Sequence, residues 1–235
     1  MKIADLEVEI VKKDIKNIHL GVHPPQGRIR VAAPKKLDNE TIKLFVISKT
    51  AWIKKQCNKF NEQRRQTKRE YVSGETHFLK GKKYRLNVVS IKNSSKVEIN
   101  KRTHIDLLIK SNYTSEKKEK LMNQFYRTEF KKLLPELIEK WEKIANVKVD
   151  SVKIRKMKTK WGTSNPKNKS LTLNLELIKY PIHCIEYVIV HEMTHFLEKN
   201  HTKRFYLLLT SFLPQWKQYK SELDNSLLGY FEWKY

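Results

Sequence analysis

The segment His191-Glu192-Met193-Thr194-His195 concentrates more reactive side chains than any other stretch of this 235-residue chain. Two imidazoles four residues apart stand just over one helical turn from each other, so on a helix both project from one face. That spacing lets two ring nitrogens bind one tetrahedral zinc ion at ~2.0–2.1 Å. Glu192 then falls beside the ion's open position, where a carboxylate can take a proton from activated water. A third ligand is still needed. His201 stands ten residues after His191, past an expected helix end at Lys199-Asn200, and a turn there swings its ring back toward the ion. The same offset occurs in zinc motifs of the form HExxHxxGxxH, although Glu198 occupies the glycine position here. Glu222, from a later helix, competes as the carboxylate of a two-His-plus-Glu site. Glu198 is nearer but is expected to lie within the same helix. The spacing favours His201 over Glu222.

These residues need a helix, and the sequence supplies one. Pro181 suits a first helical turn, and Ile185, Val188, Ile189 and Phe196 make an apolar face, so a helix is expected from Ile182 to about Glu198. A short helix from Lys203 to Phe212, Pro214, and a last helix to Leu223 follow. Upstream, Val147–Ile154 and Ser170–Leu177 read as strands around the loop TKWGTSNPKNK. Alternation from Lys153 places Lys156, Lys158 and Lys160 on one face and Arg155 on the other. Arg155, Lys158, Lys160 and Trp161 are therefore candidate substrate contacts, suited to phosphates. The competing reading is a solvated strand edge whose lysines deter aggregation, with Trp161 in the core.

The amino-terminal half alternates apolar and polar residues over 3–11, Ile15–Leu20 and Arg28–Val31, with HPPQG as a turn. From Thr41 to Phe60 the period becomes helical, with Asp38 or Asn39 as cap. Phe78–Leu79 and Tyr84–Val89 read as a hairpin, and Val97–Ile99 and Ile105–Ile109 as two more strands. The polar run SNYTSEKKE (111–119) reads as a linker. A long helix follows, from Leu121 to Ile144, in which Pro135 predicts a kink or break. No internal repeat is evident. The expectation is an α+β protein with a basic, β-rich region over 1–111 and a catalytic domain over 112–235.

Net charge is +24, from 49 Lys+Arg against 25 Asp+Glu. Such an excess implies a polyanionic partner, or a lysine-rich composition with no partner at all. The excess is uneven, +15 over residues 1–110 against +9 over 111–235. Between Lys43 and Arg69 nine basic residues face one acid, Glu62. Lys54, Lys55, Arg64 and Arg65 are candidates for sequence-independent nucleic-acid contacts. Cys57 and Cys184 are too few and too far apart for a disulfide framework, which favours a reducing compartment. The start MKIADLEVEIVKK lacks a signal peptide's apolar core, and no stretch approaches the ~20 apolar residues of a membrane span. A soluble cytoplasmic protein with no membrane partner is expected.

The stretches MKTKWGTSN, LTLNLELIKYP and YVIVHEMTHFLEKNHTKRF, with GETHFLKGKKYRLNV upstream, resemble the YgjP-like family of metal-dependent hydrolases, in the zincin metallopeptidase clan. The resemblance covers most of the chain and is weakest over the last forty or so residues. It implies a zincin-like catalytic domain with metal ligands at His191, His195 and His201 and the catalytic acid at Glu192. It also implies that the strand Leu171–Leu177 lies antiparallel to a bound peptide. Two departures stand out. Trp161-Gly162-Thr163-Ser164-Asn165 replaces Trp-Gly-Ser-Cys-Ser, which removes the thiol from that loop, and Phe205-Tyr206 replaces Phe-Trp. The resemblance brings two activities, peptide-bond hydrolysis and UTP pyrophosphatase. The expected function is zinc-dependent hydrolysis of peptides, ahead of cleavage of a nucleoside triphosphate. A nucleic-acid-binding protein with a structural zinc is the third reading, and Glu192 argues against it, because a structural site needs no adjacent base.

Overall fold

The computed structural model describes residues 1–3, 5–23, 27–62, 69–157 and 160–225. They form two units, Met1–Arg65 and Gln66–Phe231. In the first, β1 (Lys2–Ile3), β2 (Leu6–Lys13), β3 (His19–His23) and β4 (Arg28–Pro34) make one sheet in the order β1-β2-β4-β3. Alternation along β2 and β4 turns Val8, Ile29, Val31 and Ala33 inward. They share a small core with Ile42, Val46 and Ile53. Those three come from α1 (Asn39–Ser48) and α2 (Thr50–Glu62). Asp38 caps α1, accepting from the Thr41 amide at 2.7 Å. The single helix expected here is two. The Lys49 amide bonds three residues back to Val46, while the Ser48 and Thr50 hydroxyls bond to the Phe45 and Val46 carbonyls, closing the first helix.

The second unit opens with β5 (Thr76–Leu79), β6 (Lys82–Ser90), β7 (Lys96–Asn100) and β8 (His104–Ile109), in the order β5-β6-β8-β7. The polar run after β8 is not a linker. Thr114 caps α3 (Ser115–Ala145), accepting from the Lys117 amide, so the run's later half is the first turn of a 31-residue helix. That helix passes through Pro135 unbroken and ends at Asn146 in the left-handed region (φ 50°). Leu86, Ile105, Leu107 and Ile109 lie in the same core as Met122, Phe130, Ile185 and Ile189. The units therefore divide near residue 65, and the expected boundary at 111/112 falls inside the second.

The two sheets repeat one topology that the sequence does not display. In each, two hairpins meet through a central parallel pair, β2 with β4 and β6 with β8, flanked by antiparallel partners. Each is followed by a capped helix, α1 after Asp38 and α3 after Thr114.

A third sheet carries the chemistry. It runs β10 (Gly162–Asn165), β11 (Ser170–Asn174), β9 (Ser151–Arg155), with β11 in the middle. A 3₁₀ turn over Leu175–Lys179 takes up the rest of the expected second strand and leads to α4 (Ile182–Thr194), α5 (Lys203–Phe212) and α6 (Trp216–Asn225). The start of α4 is held by the β5–β6 turn. Lys80 and Gly81 both have positive φ (52° and 78°), as a tight hairpin requires. Their amides bond to the Ile178 and Lys179 carbonyls at 2.7 and 3.2 Å. A Cβ on Gly81 would stand 3.0 Å from the Pro181 Cα, so only glycine fits. No helix among the described residues is long and apolar enough to cross a membrane.

His77 is buried between Tyr126 and Glu75, its ring nitrogens 3.2 and 3.3 Å from their oxygens. Burial, reinforced by the Arg69 guanidinium, pulls its pKa from 6.5 down to about 4. The fold thus favours the neutral ring. That contribution is fully present above 6.5 and is lost as pH falls from there through about 4. Urea unfolding of the wild type and His77→Gln between neutral pH and about pH 4 is expected to shift in the variant's favour on acidification.

Candidate metal centre

Nine of the thirteen residues of α4 are buried, so the helix is part of the core as well as a wall of the site. It has no side-chain cap; the Pro181 carbonyl accepts from the Cys184 and Ile185 amides instead. It also stops sooner than its apolar pattern suggests. Thr194 is its last residue and His195 its C-cap, with the Phe196, Leu197 and Glu198 amides folding back onto Met193 and Thr194. The chain then turns through His201 into Thr202, whose hydroxyl caps α5 by accepting from the Phe205 amide at 3.3 Å.

This early turn brings three imidazoles together. The ring centroids of His191, His195 and His201 lie 4.8–5.1 Å apart, and one nitrogen from each falls within 4.8 Å of the others. The Nε2 atoms of His191 and His201 are 3.0 Å apart. A tetrahedral ion at ~2.05 Å from each nitrogen would hold them about 3.3 Å apart, so the donor set and its spacing fit zinc. The ring orientations fit as well. The His195 Nδ1–H donates to the Glu198 carbonyl at 3.2 Å, which leaves Nε2 with its lone pair. Burial, with the neighbouring imidazoles, drives the His191 pKa to about 3, and burial also lowers that of His195. Both are thus neutral donors. Phe205, fully buried, lies 4.7–5.0 Å from all three rings and closes the site from below.

Glu192 faces the same cavity, about 470 Å³ in volume, which is lined by Lys160–Ser164, Pro166, Tyr187, Val188, Lys199 and the three histidines. Burial pushes its pKa up to about 7 against a hydrogen bond from Ser164 and the charge of Lys160. Gly162 lets β10 pass over it. A Cβ there would meet Glu192 Cγ at 2.8 Å and Val188 Cγ1 at 2.9 Å.

The model of the family described as YgjP-like, metallopeptidase domain, matches residues 16–226. The chain belongs to the YgjP-like family. By that membership the YgjP-like chain carries a metallopeptidase domain, and it is a metal-dependent hydrolase. Among solved structures, the crystal structure of the metallopeptidase zymogen of Pyrococcus abyssi abylysin is similar at 18% identity and a TM-score of 0.39, covering 43% of this chain and 100% of that one. No curated protein matches.

In this YgjP-like chain His191, Glu192, His195, His201, Lys160 and Trp161 all line the cavity. Trp161 also packs on the core, its ring 5.0 Å from Tyr180. Glu222, the rival candidate to His201, does not join the three histidines; it pairs with His183 at 2.7 Å. Three sequence expectations need correction. Glu198 lies beyond the helix rather than within it. Arg155 is exposed on β9 and does not line the cavity, because β11 separates β9 from β10. The extended lysine row also ends at Arg155, where β9 stops, and Lys156 pairs with Glu119 at 2.6 Å. Lys158, Arg64 and Arg65 lie outside the described residues. Lys54 and Lys55 are exposed on α2.

Sequence reasoning missed Ser164, Lys199, Tyr187 and the positioning role of Asn174. That side chain, fully buried, donates to the Met157 and Lys160 carbonyls at 2.9 Å and accepts from the Met157 amide, fixing the segment before Trp161. A polar residue ending a strand was the signal available. Removing the His201 imidazole (His201→Ala) is expected to weaken the tight metal site at least tenfold in chelator competition. Glu222→Ala is expected to leave that tight site unchanged.

Proposed function

We propose that this YgjP-like protein is a zinc-dependent peptidase in which His191, His195 and His201 hold the ion and Glu192 is the general base. The observation that carries this reading is the convergence of three imidazole nitrogens within 4.8 Å, beside a buried carboxylate in one cavity. Zinc held there supplies Lewis acidity, polarising a carbonyl and making water acidic enough to lose a proton near neutral pH. Glu192 takes that proton at a carboxylate oxygen as the water oxygen bonds to the scissile carbon. It then gives the proton to the leaving nitrogen as the C–N bond breaks. Ser164, hydrogen-bonded to Glu192, orients the carboxylate for both transfers.

The edge available to an extended peptide is β10, not the strand Leu171–Leu177 expected from the sequence. β11 is paired on both sides, whereas among the described residues β10 is paired on one side and lines the cavity with Gly162, Thr163 and Ser164. A peptide adding there as a strand would pass its backbone along the site. Lys160 and Lys199 line the cavity and form no ion pair among the described residues. They favour substrates with acidic side chains near the scissile bond. The same two lysines support a second reading, hydrolysis of a nucleoside triphosphate, whose phosphates they would face.

Glu192→Gln separates these readings from a structural ion. The amide keeps the shape and loses the base, so zinc content and thermal unfolding are expected to hold while turnover falls ~10²–10⁴-fold. Unfolded acidic protein and nucleoside triphosphates, assayed in parallel, identify the substrate. Undiminished turnover with zinc retained would sink Glu192 as the base.

A separate proposal concerns α2. Exposed Lys54 and Lys55, within a stretch of net +8 between Lys43 and Arg69, support sequence-independent binding of nucleic acid. On duplex DNA, log affinity is expected to fall by ~0.9 per log unit of salt for each phosphate neutralised. Reversing the charges at 54 and 55 is expected to lower that slope. The free thiols of Cys57 and Cys184 support a reducing compartment such as the cytoplasm.

A further inference from the structure

His183, Cys184 and Glu222 form a second cluster of ligand-type side chains, none of which lines the catalytic cavity. His183 and Cys184 lie in the first turn of α4 and Glu222 near the end of α6. One ligand atom from each falls within 4.8 Å of the others. We propose that this cluster is a second metal site, for a borderline-soft divalent ion of the zinc class, tying α6 to the first turn of α4.

The donor set argues for that class. An imidazole nitrogen, a thiol sulfur and a carboxylate oxygen suit zinc, while magnesium and calcium require oxygen ligands. Three protein donors leave a fourth position for water. His183 Nε2 and Glu222 Oε2 are 2.7 Å apart, and a tetrahedral ion would part them by about 0.6 Å. The Tyr219 ring, 4.7 Å from that of His183, limits the imidazole's swing. Cys184 Sγ is buried, with a weak 3.8 Å contact to the Tyr219 carbonyl, so little is lost when sulfur turns to an ion. On binding, the thiol proton leaves to solvent, an Sγ–metal bond forms, and the His183–Glu222 contact opens so that both groups bind the ion. Trp216 and Leu223 are buried and anchor α6 on either side of Glu222's turn, so its carboxylate is presented from a fixed helix.

The test isolates this cluster from the catalytic one. The His191→Ala/His195→Ala double variant, stripped and titrated with zinc, is expected to bind one ion per chain. Loaded with cobalt instead, it is expected to show a thiolate-to-cobalt charge-transfer band. Adding Cys184→Ser is expected to abolish that band and weaken zinc at least 100-fold, and Glu222→Gln to weaken it at least tenfold. Should the double variant fail to fold, the wild type answers the same question, its zinc stoichiometry falling from two to one on Cys184→Ser. Absence of zinc binding in a folded double variant, or zinc affinity and a cobalt spectrum unchanged by Cys184→Ser, would overturn the proposal. These readouts need no activity, so they stand apart from the fate of the peptidase reading.

Discussion

Everything in the catalytic half depends on one constraint, that α4 is buried on most of its surface while carrying the site's reactive groups. Ile185, Ile189, Val190 and Met193 are each fully out of water, and burying a side chain of that size is worth ~1.5–3 kcal/mol. A helix locked by such packing cannot rotate to relieve strain at His191 or Glu192. The locking begins before the helix does, where the Lys80-Gly81 turn presses on Pro181. Its end is equally fixed, since Thr194 donates its hydroxyl to the Val190 carbonyl at 2.7 Å and the chain folds back at once.

The same burial sets the electrostatics. In a medium that solvates charge poorly, His191 and His195 stay neutral and the Glu192 pKa is raised. Both effects come from withholding water, and they leave the cavity with lone pairs converging on one point. Lys160 is near enough to counter part of the burial of Glu192, so the cationic side of the cavity reaches that carboxylate.

How much of this was legible in the sequence follows from the range of the interactions. The helix through His191 was legible because its causes are local: a proline at the start, apolar spacing, and a histidine pair one turn apart. The place of His201 followed from a short offset. The strand Gly162–Asn165 was not legible, because four residues rich in Gly, Ser, Thr and Asn read as a turn until β11 pairs with them. Ser164 and Gly162 meet Glu192 across more than twenty-five residues of chain, which no local pattern records. The polar run before α3 misled for a related reason. Serine and threonine mark both linkers and helix caps, and only the core beneath β8 distinguishes them. The repeated sheet topology was hidden because strand order is set by pairing between distant segments, and different residues satisfy it equally well.

The contact between Gly162 and Glu192 ties two properties that evolution often adjusts separately. In the proposed peptidase, the edge offered to substrate and the carboxylate that would handle protons touch across less than a side chain's width. A substitution on β10 that alters which peptides dock will also press on, or release, Glu192. Selectivity and turnover in this chain are therefore drawn from a shared set of positions, and divergence in one will leave a trace in the other. Relatives with new preferences should carry compensating changes at Val188 or Ser164, which share this contact with Gly162 and Glu192.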